Sequence, residues 1–300
     1  MENTNKSLKI YNGNVEITKE NQESWIKKLE YTEIINGYVD VYQNAKASFP
    51  NLKQSGSVDV YQNAKASFPN LKQSGSVDVY QNAKASFPNL KQSGYVYVRE
   101  NAKASFPNLK QSGYVYVREN AKASFPKLES VSGYVDVRNG DIKLEKQLWK
   151  IASKNQWYVS EKSSEWLLSQ KGNFIYQLNG INFEKEWFDK IRKDELSPEE
   201  IFAIDNTEHR RVAYEFMDKR KMKQLKDYKV LDEKIDEKGN PMRIISFTIQ
   251  NMKEPLKFYN CLCPSSKREY FLQTDKDTCD EAKAGMFGFK AEEAEFVEEW

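Results

Sequence analysis

Residues 56–74 read GSVDVYQNAKASFPNLKQS, and residues 75–93 repeat them letter for letter. The copy starting at Gly37 differs only in having Tyr38 where the others have serine, and the copies starting at Gly94 and Gly113 open with GYVYVREN. A fixed period of 19 residues predicts a solenoid. So short a unit cannot bury its own apolar side chains, so successive copies must stack and donate the same positions to one interior. Binding chemistry is then expected on the solvent face.

Within a copy, Val58 and Val60 are one residue apart and share the inward face of an extended strand. Ala64 and Ala66 follow, and Phe68 and Leu71 flank a turn that begins at Pro69. The pattern V-x-V-x-x-N-A-x-A resembles the core of leucine-rich repeats over about residues 37–139. That resemblance implies that Asn44, Asn63, Asn82, Asn101 and Asn120 bond the backbone of neighbouring coils. Valine and alanine replace the usual leucines and the period is short, so the returning segments are expected to be extended or turn-like rather than helical. A plain β-solenoid is the close alternative.

The expected fold class is α+β: a short-period leucine-rich-repeat-like β-solenoid followed by an antiparallel-sheet α+β domain. The expected organisation is an N-terminal cap over 1–36, repeats over 37–140 and the second domain over 141–300. Val15 and Ile17 read as a degenerate first rung, Trp25–Leu29 as a capping helix, Val135 and Val137 as the last rung, and Leu144, Leu148 and Ile151 as a closing helix. Beyond Trp149 the periodicity stops. Ser197-Pro198-Glu199-Glu200 and Thr278-Cys279-Asp280-Glu281 read as capping boxes. Segments 229–249 and 256–273 read as paired strands, the second pair around Pro264-Ser265-Ser266.

Positions flanking and lying between the paired valines form columns about 4.8 Å apart. One holds Tyr38, Ser57, Ser76, Tyr95, Tyr114 and Tyr134; a second holds Asp40, Asp59, Asp78, Tyr97, Tyr116 and Asp136; a third holds Tyr42, Tyr61, Tyr80, Arg99, Arg118 and Arg138. Tyrosine and arginine are the residue types that most often anchor protein interfaces. The expected partner-binding residues are therefore Tyr38, Asp40, Tyr42, Asp59, Tyr61, Asp78, Tyr80, Tyr95, Tyr97, Arg99, Tyr114, Tyr116, Arg118 and Arg138. The blander account is that these are β-formers in a freshly duplicated sequence.

Lysine columns at Lys46, Lys65, Lys84, Lys103, Lys122 and at Lys53, Lys72, Lys91, Lys110 would attract a nucleic acid or simply keep exposed β-structure from aggregating. Residues 37–140 hold 13 Lys or Arg against 7 Asp or Glu, but the net charge of the chain is only +2, which argues against a strongly basic nucleic-acid binder. The three cysteines, Cys261, Cys263 and Cys279, form no disulfide framework. With His209 they could supply zinc ligands, although Cys261 and Cys263 read better as buried strand residues. Asp205, Glu208, His209, Arg210 and Arg211 surround one helix start and could serve acid–base chemistry or phosphate binding. They point in different directions, and no nucleophile motif, phosphate loop or metal triad accompanies them. No enzyme activity, cofactor or metal site is expected. The acidic tail, Glu292 to Glu299, reads as a solvated end.

No N-terminal apolar run resembles a signal peptide and none approaches the roughly 20 residues of a membrane span, so a cytoplasmic protein without membrane contact is expected. Asn179-Gly180-Ile181, Ile204-Asp205, Arg210-Arg211-Val212, Pro264-Ser265-Ser266, Tyr270-Phe271-Leu272 and residues 282–288 resemble a family of bacterial and phage proteins. These often carry leucine-rich-like repeats, and their C-terminal domain has no assigned function. The resemblance implies a bacterial or mobile-element origin, and near-identical copies imply recent expansion. The expected function is a non-enzymatic protein-binding module, in one specific version a phage inhibitor of a host defence nuclease such as a CRISPR effector. Nucleic-acid binding by the lysine columns is the alternative, and an enzyme centred on His209 a more distant one.

Overall fold

The computed structural model describes residues 9–236, 239–249, 254–262 and 269–287. It combines helices with a mostly parallel sheet system and a separate antiparallel sheet, an α+β architecture. The chain divides into two compact units, 1–176 and 177–300.

In the first unit each repeat contributes one strand to each of two parallel sheets. The long strands, Ile34–Val41, Gln54–Val60, Gln73–Val79, Gln92–Val98 and Gln111–Arg118, pair in sequence order in one sheet. The returning segments are three-residue strands, Lys46–Ser48, Lys65–Ser67, Lys84–Ser86, Lys103–Ser105 and Lys122–Ser124, which pair in a second sheet. Val58 stands opposite Val77, and Val77 opposite Val96, so equivalent residues of successive copies are register partners. The valines and Ala64, Ala83 and Ala102 are fully buried between the sheets.

Two turns make this possible. Gln62 and Asn63 both have positive φ, 51° and 61°, and Ala64 N–H donates to Tyr61 O at 3.1 Å, a type I′ turn. The second turn has Pro69 at its first central position, and Leu71 N–H closes it on Phe68 O at 3.4 Å. Phe49, Phe68, Phe87, Phe106 and Phe125 stack from copy to copy with centroids 5.0–5.2 Å apart and all are buried.

The asparagine expectation needs correction. Asn44, Asn63, Asn82, Asn101 and Asn120 occupy left-handed turn positions and their side chains are exposed. The asparagines that bond the preceding backbone lie seven residues further on: Asn70 Nδ2 donates to Pro50 O at 2.6 Å, and Asn89 and Asn108 donate to Pro69 O and Pro88 O, each at 2.7 Å. The reason is geometric. A type I′ turn lies at the outer corner of a copy, whereas the asparagine after Pro69 faces the copy before it.

Strand Val15–Ile17 joins the long-strand sheet through Val15 opposite Val39, with helix Gln22–Lys28 following it. At the other end strands Val135–Arg138, Gln156–Val159 and Asn173–Leu178 continue the parallel order, and helix Ile142–Ala152 lies between the first two in sequence. That helix and strand Gln156–Val159 thus fall in the first unit, although the loss of periodicity predicts a second domain from 141. Trp157 is fully buried and donates Nε1–H to Ala152 O at 2.8 Å.

The second unit holds helices Lys185–Arg192, Pro198–Phe202, Thr207–Phe216 and Cys279–Phe287 and a four-stranded antiparallel sheet, Lys226–Ile235, Pro241–Thr248, Leu256–Leu262 and Glu269–Gln273. Phe202 is the hub of its core, with ring centroids 4.5 Å from Phe247 and 4.8 Å from Phe258. Ser197 and Glu200 form a reciprocal capping box with Pro198 inside the helix start, and Thr278 Oγ1 accepts from Glu281 N–H at 3.3 Å. Cys279 is buried with its N–H on Asp232 Oδ2 at 2.7 Å. Cys263, the Pro264-Ser265-Ser266 turn and the acidic tail lie outside the described residues. No helix among the described residues is long and apolar enough to cross a membrane.

Candidate binding surface

The first two outward columns run in register along the repeats of the long-strand sheet. Tyr38 stands opposite Ser57 and Asp40 opposite Asp59; Tyr95 stands opposite Tyr114 and Tyr97 opposite Tyr116. Strand alternation places them opposite in sense to the buried valines. The structure therefore places ten of the candidate residues on one sheet face, with Tyr42, Tyr61, Tyr80 and Arg99 stacked one residue past the strand ends, and it divides that surface chemically.

The first half is acidic. Val15 opposite Val39 brings Glu16 beside Asp40, which extends the carboxylate column to Glu16, Asp40, Asp59 and Asp78. Burial, then the charges of Asp59 and Glu16, push Asp40 up to about 7 from an ordinary 3.8. Burial pushes Asp78 up to about 6, with Arg99 opposing it and Asp59 adding to it. Burial also raises Asp59. Asp40 Oδ1 and Asp78 Oδ1 are buried with no hydrogen-bond partner among the described residues. Alongside, Tyr42, Tyr61 and Tyr80 stack with centroids 5.0 and 4.9 Å apart, and Tyr38 donates its hydroxyl to Glu16 Oε1 at 2.7 Å.

A native carboxyl that holds its proton more tightly than the unfolded chain stabilises the fold at low pH and ceases to do so as pH rises through its folded value. This column's contribution is thus complete below about pH 4 and disappears between about pH 4 and pH 7. Asp59→Asn, which removes the central charge, is expected to raise stability at pH 8 by about 1 kcal/mol and to flatten the pH dependence. Urea midpoints at pH 5 and pH 8 test this. A wild-type slope unchanged in the variant would show that the column exerts no strain.

The second half is aromatic. Tyr95 and Tyr114 stack at 4.6 Å, Tyr97 and Tyr116 at 4.2 Å, and Tyr114, Tyr134 and Tyr158 continue the cluster at 5.5 and 5.8 Å. Interplanar angles of 4° and 2° in the first two pairs mean that neighbours cover the ring faces, leaving edges and hydroxyls for a partner. Burial, then the Tyr97 hydroxyl, raise the Tyr116 phenol, so it stays protonated. Tyr95 is 43% exposed and Tyr134 37%.

The arginines are more committed than the sequence suggests. Arg99 lies over Tyr80 at 4.3 Å and pairs with Glu100 at 2.6 Å and Asp78 at 3.5 Å. Arg118 covers Tyr116 and pairs with Asp136, and Arg138 holds the same carboxylate at 2.8 Å. Asp136 is fully buried between them, unlike Asp59 in the same column. Sequence reasoning missed Glu16 and Tyr158. The signal for Tyr158 was present, since Trp157-Tyr158-Val159 alternates as the rungs do.

Of the lysine columns, Lys46, Lys65, Lys84, Lys103 and Lys122 lie in register with no ion-pair partner among the described residues. The other column is partly neutralised, by Lys53 with Glu33 at 3.0 Å and Lys110 with Glu129 at 2.9 Å. The residues around His209 diverge. Arg211 is buried and pairs with Glu208 at 3.0 Å and with Glu215, while Arg210 lies 5.0 Å over Phe258 and donates to Ile204 O at 3.2 Å. Among the described residues no group of three or more His, Cys, Asp or Glu is placed to hold a metal ion. No family model, curated protein or solved structure matches the chain.

Proposed function

We propose that residues 37–140 form a leucine-rich-repeat-like solenoid whose long-strand face binds a protein, and that the chain acts by binding rather than catalysis. The observation that carries this is the aromatic half of the face. Tyr95, Tyr97, Tyr114, Tyr116, Tyr134 and Tyr158 form one cluster whose rings are held by each other, so a partner gains rigid contact area at little entropic cost. Duplicated copies lengthen such a surface without new folding problems, which suits a phage or mobile element. In its specific form the proposal is an inhibitor that blocks the substrate channel or assembly of a host defence nuclease, such as a CRISPR effector.

A second reading is favoured by the five aligned lysines of the short-strand sheet, which have no ion-pair partner among the described residues and suit a polyanion such as nucleic acid. One experiment separates the two. Tagged chain is used to capture partners from a bacterial host lysate, with and without nuclease, and the captured species is titrated against variants. The protein-binding reading expects a stoichiometric protein that survives nuclease, and Tyr97→Ala or Tyr116→Ala each to weaken it by about 30-fold, the 2 kcal/mol of a hot spot. Arg118→Ala should also weaken it, with melting followed in parallel because Asp136 loses a partner. Capture only of nuclease-sensitive material, with affinity falling steeply in salt, transfers the function to the lysines.

A further inference from the structure

The second unit contains a cleft that the ladder reading does not use. It encloses about 540 Å³ between the start of helix Lys185–Arg192 and the segment leading into helix Thr207–Phe216. Its apolar wall includes Phe183 and Trp187, and its charged groups are Glu184, Glu200 and Asp205; among the described residues no lysine or arginine lines it. Trp187 is 40% exposed although Phe188 and Ile191 of the same helix are buried.

Neighbouring cations have close partners of their own, although Arg210 also feels the charge of Asp205 and Lys190 that of Glu200. Lys190 pairs with Glu186 at 2.9 Å, and Arg210 is turned to Ile204 O and the Phe258 ring. One Glu200 oxygen accepts from Ser197 N–H at 2.8 Å, whereas Glu184 and Asp205 are exposed and hold no hydrogen-bond partner among the described residues. His209 completes the wall, packed edge-on to Phe183 at 4.7 Å. Its Nε2 lies 3.0 Å from Asn182 O, and because a carbonyl only accepts, Nε2 carries the proton. Nδ1 is buried with no partner among the described residues.

An anion is repelled by three carboxylates, and an apolar occupant would desolvate acceptors without replacing their hydrogen bonds. A cation rich in N–H groups satisfies the carboxylates and gains attraction over an indole face. The volume exceeds what an ammonium head alone requires and falls within the roughly 300–1,000 Å³ of ligand clefts. We propose that this cleft binds an arginine or lysine side chain of a partner protein. The site does not rest on the tyrosine ladder.

The test uses the full chain with 15N-labelled tryptophan indoles, the Trp187 signal being assigned by its loss in Trp187→Phe. Capped Ala-Arg-Ala, Ala-Lys-Ala, Ala-norleucine-Ala and free spermidine are titrated separately. The Trp187 signal is expected to shift with the arginine and lysine peptides at millimolar concentration and not with norleucine. Affinity should fall at least tenfold in Glu184→Gln/Asp205→Asn. The other indole signals report that each variant remains folded. An unchanged Trp187 signal with both cationic peptides, an equal response to norleucine, or undiminished affinity in the double variant overturns the proposal. Tighter binding of spermidine than of either peptide overturns the protein origin of the cation. Tyr97→Ala is expected to leave the titration unaltered, so this site and the ladder can fail separately.

Discussion

Gly75→Ala is expected to destabilise the repeat by about 3 kcal/mol or more, the upper range for forced overpacking. A β-carbon built on Gly75 would lie 2.2 Å from the carbonyl oxygen of Gly56 in the preceding copy, and at Gly94 it would lie 2.4 Å from Gly75 O. The obstacle is backbone, which cannot rotate aside as a side chain can. None of these glycines has the positive φ that alone would demand glycine; what they provide is close approach between adjacent strands. Gly285→Ala, in helix Cys279–Phe287, is the control, since a β-carbon there would meet nothing within 4 Å. That variant should be neutral or stabilising by up to about 1 kcal/mol. Chemical denaturation followed by far-ultraviolet circular dichroism compares them. Equal stability of the two variants would mean that adjacent strands are free to move apart at the glycine column.

Asp136→Ala is expected to be the most damaging single change among the outward columns, at about 3–5 kcal/mol. The carboxylate is fully buried and receives Arg138 at 2.8 Å as well as Arg118. Removing it takes a buried anion away from both guanidinium groups. The melting temperature should fall on the order of 10 °C. Asp59→Asn, earlier in the same column, is expected to stabilise instead, because its neighbours Asp40 and Asp78 are carboxylates. Opposite signs at two aspartates that look equivalent in the repeat constitute the test. Mild loss at Asp136 in thermal melts would show that the arginines find other partners readily.

Much of this architecture was legible in the chain. The period, the inward valines and alanines and the extended returning segments follow from strict repetition and strand alternation, because each stacked copy faces an identical neighbour. The capping box at Ser197 and the paired strands on either side of Gly239 were legible too, since they depend on residues within a few positions of each other. The columns of Tyr38, Asp40 and Tyr42 could be written down from the repeat, and the register places the first two on one face.

Other features depend on residues distant in sequence. Which asparagine bonds the neighbouring backbone is decided by the corner each occupies: Asn63 lies in a left-handed turn, while Asn70 reaches Pro50. Sequence alone determined the repeat and the residues its sheet displays, because identical copies must stack in register. Only the tertiary structure decided that Glu16 joins the acidic column, that Asp136 is a buried arginine clamp, and that Trp187, Asp205 and His209 share a cleft. Each of these joins segments with no common local pattern, and their burial and charge pairing arise only when the chain brings them together.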